Sequence, residues 1–141
     1  MALFVLIRTL TYVGLLCAAL WLNRQCWRSL TLTCVVGANI FVPIPAADTP
    51  TLWYLQCIFA DSLVIALAFM LRAQASTAVI ACMLLLCACH MTGVVLGPQP
   101  GFGPYRIAVP LFEATALLSC CLLSDAMMRQ LGHRLTGRLK S

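Results

Sequence analysis

Long apolar runs, separated by short polar segments, make up most of the chain. The clearest is Leu52–Leu71, twenty residues that are almost wholly apolar and carry a single carboxylate, Asp61, near the midpoint. Twenty helical residues extend about 30 Å, which is the thickness of the hydrocarbon core of a bilayer. The pattern therefore predicts helices that cross a membrane.

Five runs are predicted to be membrane spans, at residues 3–22, 29–46, 52–71, 77–96 and 107–127. The run at 29–46 is the least regular, because Pro43 and Pro45 near its end cannot donate backbone hydrogen bonds and so end or kink a helix. A bundle of four spans is the alternative if this run enters the membrane and returns. We expect residues 1–128 to form one all-α, polytopic transmembrane helical bundle.

The arginines of the short loops predict an orientation. In a five-span bundle Arg24, Arg28 and Arg72 fall on one side, together with the basic C-terminal end, whereas Arg106 falls on the other side with Arg8 close beneath it. Cytoplasmic loops carry the excess of Lys and Arg. We therefore expect a multi-pass protein of the inner (plasma) membrane, with the N-terminus outside and the C-terminus in the cytoplasm.

Residues 129–141 form a short basic tail. Leucine recurs there every fourth residue, which places the leucines on one helical face with basic side chains around them. This is typical of an amphipathic segment at the membrane interface, and a frayed tail is the alternative. Because the basic cluster is short and follows an apolar run, we expect contact with anionic lipid headgroups and not with nucleic acid. The residues expected to make it are Arg129, Arg134, Arg138 and Lys140.

Composition agrees with a membrane protein and limits the role of the cysteines. Hydrophobic residues make up 62% of the 141 residues and charged residues 9%, whereas a soluble domain carries about 25% charged residues. Of the nine cysteines, all but Cys26 lie inside apolar runs. Cysteine packs there as a small apolar residue, so we expect the thiols to be mostly reduced and dispensable.

Polar residues inside the apolar runs are the candidate site. Successive spans alternate in direction, so the depth of each residue is counted from the outer end of its span. Six residues then fall about 6 to 14 Å below the outer edge. They are Arg8, Asn39, Gln56, Asp61, His90 and Glu113. Ionisable groups at such depths face a protein interior or a wet cavity and mark ion or proton paths.

The depths predict a polar vestibule that is open to the outer side and closed below by apolar residues. Arg8 and Glu113 are expected to form an ion pair, and Asp61 and His90 a second pair or a proton relay. The alternative is structural, because interhelical hydrogen bonds also hold small helical bundles together.

Catalytic and metal sites are not expected. The chain has no nucleophile motif, no HExxH and no glycine-rich phosphate loop. Cys87 and Cys89 precede His90, but residues two apart on a helix point about 200° apart, so both thiols cannot hold one ion. Cys87 and His90 alone fall short of a tetrahedral ligand set. We expect neither a bound metal nor a cofactor.

These observations favour a non-enzymatic integral membrane protein that forms or lines a polar membrane path. Its partners would be the bilayer and either further copies of itself or other membrane subunits. A channel, a transporter-type protein or a viral holin-like pore former fits the size and the basic tail. The alternative is a structural or assembly subunit of a larger membrane complex. A membrane thiol oxidoreductase is a remote alternative, because the two predicted outer loops contain no cysteine.

Overall fold

A computed structural model describes residues 2–96, 103–124 and 127–132, and all regular structure in these ranges is helical. The helices are α1 (Ala2–Asn23), α2 (Trp27–Phe41), α3 (Pro50–Leu71), α4 (Ser76–Leu96), α5 (Gly103–Leu122) and the short α6 at 127–132. Arg129 is exposed on α6. The other three basic residues predicted to contact lipid, Arg134, Arg138 and Lys140, lie outside the described residues.

Four helices are long and apolar enough to cross a membrane, so the protein is a multi-pass integral membrane protein. By length and composition the spans are Val5–Asn23, Pro50–Leu71, Ser76–Leu96 and Tyr105–Leu122. The span Tyr105–Leu122 begins and ends earlier than the predicted span 107–127. Tyr105 therefore lies in a helix, whereas the sequence places it in the loop between the predicted spans 77–96 and 107–127.

The run at 29–46 is not one long helix. α2 has 15 residues, about 22 Å, and ends at Phe41. Val42, which precedes Pro43, is extended with φ −77° and ψ 119°, as expected for a residue before proline. Residues 43–47 continue without helical structure. A helix that crosses the membrane at this position, and with it the fifth span, is thus not shown.

The ends of α3 follow from local chemistry. Thr49 caps its N-terminus, since the side chain accepts a hydrogen bond from the backbone N–H of Leu52 at 3.2 Å, and Pro50 occupies the first turn. Arg72 ends the helix in the left-handed conformation, with φ 49°. The short connection that follows returns the chain as α4.

The five long helices pack around one apolar core. α1 contacts α2 and α5, α3 contacts α4, and α4 contacts α5, while α2 closes the arrangement against α3 and α5. Leu32, Val36, Val79, Met83 and Leu117 are fully buried in this core. The outer surface carries many exposed large hydrophobic side chains, including Leu3, Trp21, Phe69, Met70 and Ile107. Such a surface is suited to lipid, which is itself apolar.

α3 and α4 are in close contact at Gly93. A Cβ atom at this position would lie 2.5 Å from Cζ of Tyr54, whose side chain is fully buried. Small residues at helix interfaces allow such close approach in membrane bundles.

The nine cysteines all lie in the described ranges, and all nine are free thiols. Cys57, Cys82, Cys120 and Cys121 are buried between helices.

Candidate functional site

A polar cavity of about 700 Å³ opens at one end of the bundle. It lies near the N-terminal ends of α1 and α5 and the C-terminal ends of α2 and α4. All five long helices contribute a polar residue predicted from the sequence, and these are Arg8, Asn39, Asp61, His90 and Glu113. The linker after α2 completes the wall with Val42, Pro43 and Ile44.

Asp61 is at the centre of a chain of polar contacts in this cavity. Asn39 donates from Nδ2 to Asp61 Oδ1 at 2.9 Å, and His90 Nε2 lies 3.4 Å from Asp61 Oδ2. On the other side of the imidazole, the Tyr105 hydroxyl lies 2.8 Å from His90 Nδ1. Asp61 and His90 are only 4% and 5% exposed. The predicted pair of Asp61 and His90 is therefore in contact, with Tyr105 as an additional member.

Aromatic rings surround His90. The ring centroids of Trp53, Tyr54 and Tyr105 lie 6.3, 6.4 and 5.6 Å from the imidazole centroid. Trp53 and Tyr105 also line the polar cavity. None of these three aromatic residues was among the predicted site residues, because Tyr105 falls between the predicted spans 77–96 and 107–127 and aromatic residues near span ends are typical of the membrane interface.

Glu113 has a different partner from the one predicted. The Tyr12 hydroxyl lies 2.9 Å from Glu113 Oε2 and 2.9 Å from the carbonyl oxygen of Pro110. Among the described residues the single ion pair joins His90 and Asp61. The expected ion pair of Arg8 and Glu113 is therefore wrong. Tyr12 lies one turn below Arg8 on α1 and takes the place opposite Glu113, while the Arg8 guanidinium lies 5.8 Å from the Tyr12 ring centroid.

Arg106 also lines the polar cavity and was not among the predicted site residues. It is exposed and makes no hydrogen bond or ion pair within the described part of the chain. The cavity thus contains two guanidinium groups, from Arg8 and Arg106, and two carboxyl groups, from Asp61 and Glu113.

Gln56 lies apart from the other predicted site residues. It lines an apolar groove of about 720 Å³ between α2 and α3, together with residues such as Leu55, Phe59 and Leu63. Its Oε1 is buried and has no hydrogen-bond partner among the described residues. Asn39 borders both the groove and the polar cavity.

The opposite end of the bundle is not purely apolar, contrary to expectation. Asn23 is 2% exposed and donates from Nδ2 to the carbonyl oxygens of Ala19 and Cys120, both at 2.9 Å, and to Thr33 Oγ1 at 3.3 Å. The side chain thereby joins α1, α2 and α5. Asn23 falls between the predicted spans 3–22 and 29–46, so the sequence predicts that it lies in a loop.

In the described ranges, no three His, Cys, Asp or Glu side chains converge as a metal-ligand set. Comparisons of the chain with protein-family models, curated proteins and solved structures found no match. The geometry of the polar cavity is therefore the main indication of function.

Proposed function

We propose that this protein is a non-enzymatic, multi-pass protein of the inner (plasma) membrane that lines a polar path for protons or small polar solutes. The observation that supports the proposal is the polar cavity, to which all five long helices contribute an ionisable or amide side chain. Charged groups inside a membrane are costly and occur where they face a bundle interior or water.

The contrast with Asn23 favours a path over simple packing. Asn23 joins three helices and lines neither of the two cavities. The polar cavity instead leaves about 700 Å³ of free space beside Asp61 and Arg106, so that water or a solute has room to reach these side chains.

The course of α2 supports five crossings. Its Thr33 meets Asn23 at one end of the bundle, and its Asn39 meets Asp61 at the other end. Residues 42–46 lack helical structure, and in extended form they would add about 15 Å to the helix of about 22 Å, which would make this run long enough to cross. With five crossings, the loop arginines favour an external N-terminus and a cytoplasmic C-terminus. The tail residues Arg129, Arg134, Arg138 and Lys140 would then meet anionic headgroups on the cytoplasmic side.

Flux through reconstituted liposomes tests the proposal. Purified protein is expected to carry protons under an imposed potassium diffusion potential, or to let small polar solutes enter in a swelling assay, above the rate of protein-free liposomes. Asp61→Asn is expected to lower this flux, because it removes the carboxylate from the cavity. Ser62→Ala is the matched control, since Ser62 is exposed on the same helix and does not line the polar cavity. Flux no greater than in protein-free liposomes would refute the polar path.

The rival function is a structural or assembly subunit of a membrane complex, and either function is compatible with a homo-oligomer. The apolar groove between α2 and α3 favours the rival, because Gln56 Oε1 is buried there without a hydrogen-bond partner among the described residues. In that case Asp61→Asn would alter assembly or stability while wild-type flux stays at the level of protein-free liposomes.

A further inference from the structure

We propose that the polar cavity binds a small zwitterionic solute that carries an N–H-bearing ammonium group and a carboxylate on an apolar body, which is the chemistry of an α-amino acid. The inference rests on the proposed polar path and names the class of solute that occupies it. Three features of the cavity lead to this class: an unused buried acceptor, unpaired guanidinium groups and an apolar wall between them.

The site for the ammonium group is at Asp61. Its Oδ2 is buried and lacks a hydrogen bond, because His90 Nε2 lies 3.4 Å away and outside hydrogen-bond geometry. Hydrogen bonds from N–H to oxygen are normally about 2.7–3.2 Å long. A buried acceptor without a donor is costly, so an ammonium N–H of a ligand fits this position. Glu113, on α5, supplies a second carboxyl group to the same cavity.

The site for the carboxylate is formed by Arg8 and Arg106. In the described part of the chain neither Arg8 nor Arg106 makes a hydrogen bond or an ion pair. The Arg8 guanidinium lies 5.8 Å from the Tyr12 ring centroid and has a longer-range electrostatic attraction to Glu113. Both side chains are exposed and line the cavity from the N-terminal halves of α1 and α5. Guanidinium groups bind carboxylates in a bidentate manner.

The two kinds of charge together select against ligands with one charge. A cation alone would meet Arg8 and Arg106, and an anion alone would meet Asp61 and Glu113. Sites with polar groups built to pair with a substrate reject analogues that leave those groups unpaired. The remaining wall includes Ile40, Leu86 and Val109, which suit an apolar body. The volume of about 700 Å³ is within the range of small-molecule sites.

Trp53 provides a direct measure of binding, because it lines the cavity while Trp21 and Trp27 are each 66% exposed elsewhere. With the latter two changed to Phe, Trp53 is the sole tryptophan in the chain. Its fluorescence is followed in phosphatidylglycerol nanodiscs during titration with L-leucine, with 3-methylbutylamine, which lacks the carboxylate, and with 4-methylpentanoate, which lacks the ammonium group. L-leucine is expected to bind about tenfold to hundredfold more tightly than either analogue, the loss expected for one charged hydrogen bond.

Three variants assign the two ends of the ligand. Asp61→Asn is expected to weaken L-leucine binding by about tenfold or more, without weakening 4-methylpentanoate. Arg106→Gln is expected to weaken the binding of L-leucine and of 4-methylpentanoate, but not the binding of 3-methylbutylamine. Arg28→Gln, which removes an exposed arginine near the opposite end of the bundle, should change the affinity for none of the three ligands. A merely structural role for Asp61 would not change the ratio of L-leucine to 4-methylpentanoate affinity.

Equal affinity for L-leucine and one of the analogues, or no fluorescence response to L-leucine from protein that unfolds cooperatively, would overturn the inference. The polar path would still stand if the same preparation showed flux in liposomes. Addition of phosphatidylethanolamine to the nanodiscs tests a lipid as the occupant, since its headgroup is also zwitterionic and has a phosphate in place of the carboxylate. If it weakens L-leucine binding, the headgroup of a zwitterionic lipid is the occupant, and if it has no effect, the occupant is a free solute.

Discussion

Replacement of Gly93 by Ala tests the close contact that holds α3 and α4 beside the polar cavity. A Cβ at residue 93 would lie 2.5, 2.6 and 2.8 Å from three atoms of the Tyr54 ring. Real Cβ contacts are longer than 3.0 Å. The ring cannot easily move away, because Tyr54 is fully buried and packs edge-on against Trp53 and Tyr105.

Overpacking of this kind costs about 1–3 kcal/mol, and the better helix propensity of Ala returns up to about 1 kcal/mol. We therefore expect Gly93→Ala to lower the free energy of unfolding by about 1–2 kcal/mol, measured by thermal or denaturant unfolding in detergent. Gly14→Ala is the matched control, since a Cβ at residue 14 meets no atom within 4 Å. If the two alanine variants are equally stable, the contact of Gly93 with Tyr54 is not as close as described.

Three further variants test other parts of the account in the same unfolding assay. Asn23→Ala should cost about 1–3 kcal/mol, because the Cys120 carbonyl loses its donor, whereas Gln25→Ala in the adjacent exposed turn should be neutral. Arg72→Gly should stabilise the protein by about 1 kcal/mol, since glycine adopts the left-handed conformation without the cost that a side chain incurs. Glu113→Gln should cost about 1–1.5 kcal/mol in the otherwise unchanged protein. It should cost nothing further in a Tyr12→Phe background, where the hydrogen bond to Glu113 is already absent. If the costs of Glu113→Gln and Tyr12→Phe simply add in the double variant, that pairing is contradicted.

Much of the fold could be predicted from apolar length alone. The runs at residues 52–71 and 77–96 match α3 and α4 within two residues at each end. The run at 29–46 was harder, because hydropathy cannot tell helix from extended chain. Pro43 and Pro45 indicated where regular structure would end, but their effect begins one residue earlier, at Val42.

The candidate site was predictable in depth but not in pairing. Counting residues from the ends of antiparallel helices brings Asn39, Asp61 and His90 into the same half of the membrane, with Asp61 the deepest. The structure places Asp61 in contact with both of the other residues. Rotation of each helix about its axis decides which neighbours meet, and the sequence does not supply it. Gln56 therefore faces a separate groove, and Glu113 meets Tyr12 in place of Arg8.

Accessibility of the polar cavity to water directly tests the proposal that the cavity is part of a polar path open to the outside. In a variant with all nine cysteines replaced by Ala, single cysteines are introduced at Val109, which lines the cavity, and at Leu118, which is 43% exposed on the apolar surface of the same helix. A membrane-impermeant thiol reagent is added to the outer face of intact cells. The account predicts labelling of Val109→Cys and none of Leu118→Cys. No labelling at residue 109, or equal labelling of both, would contradict a polar path that opens to the outside.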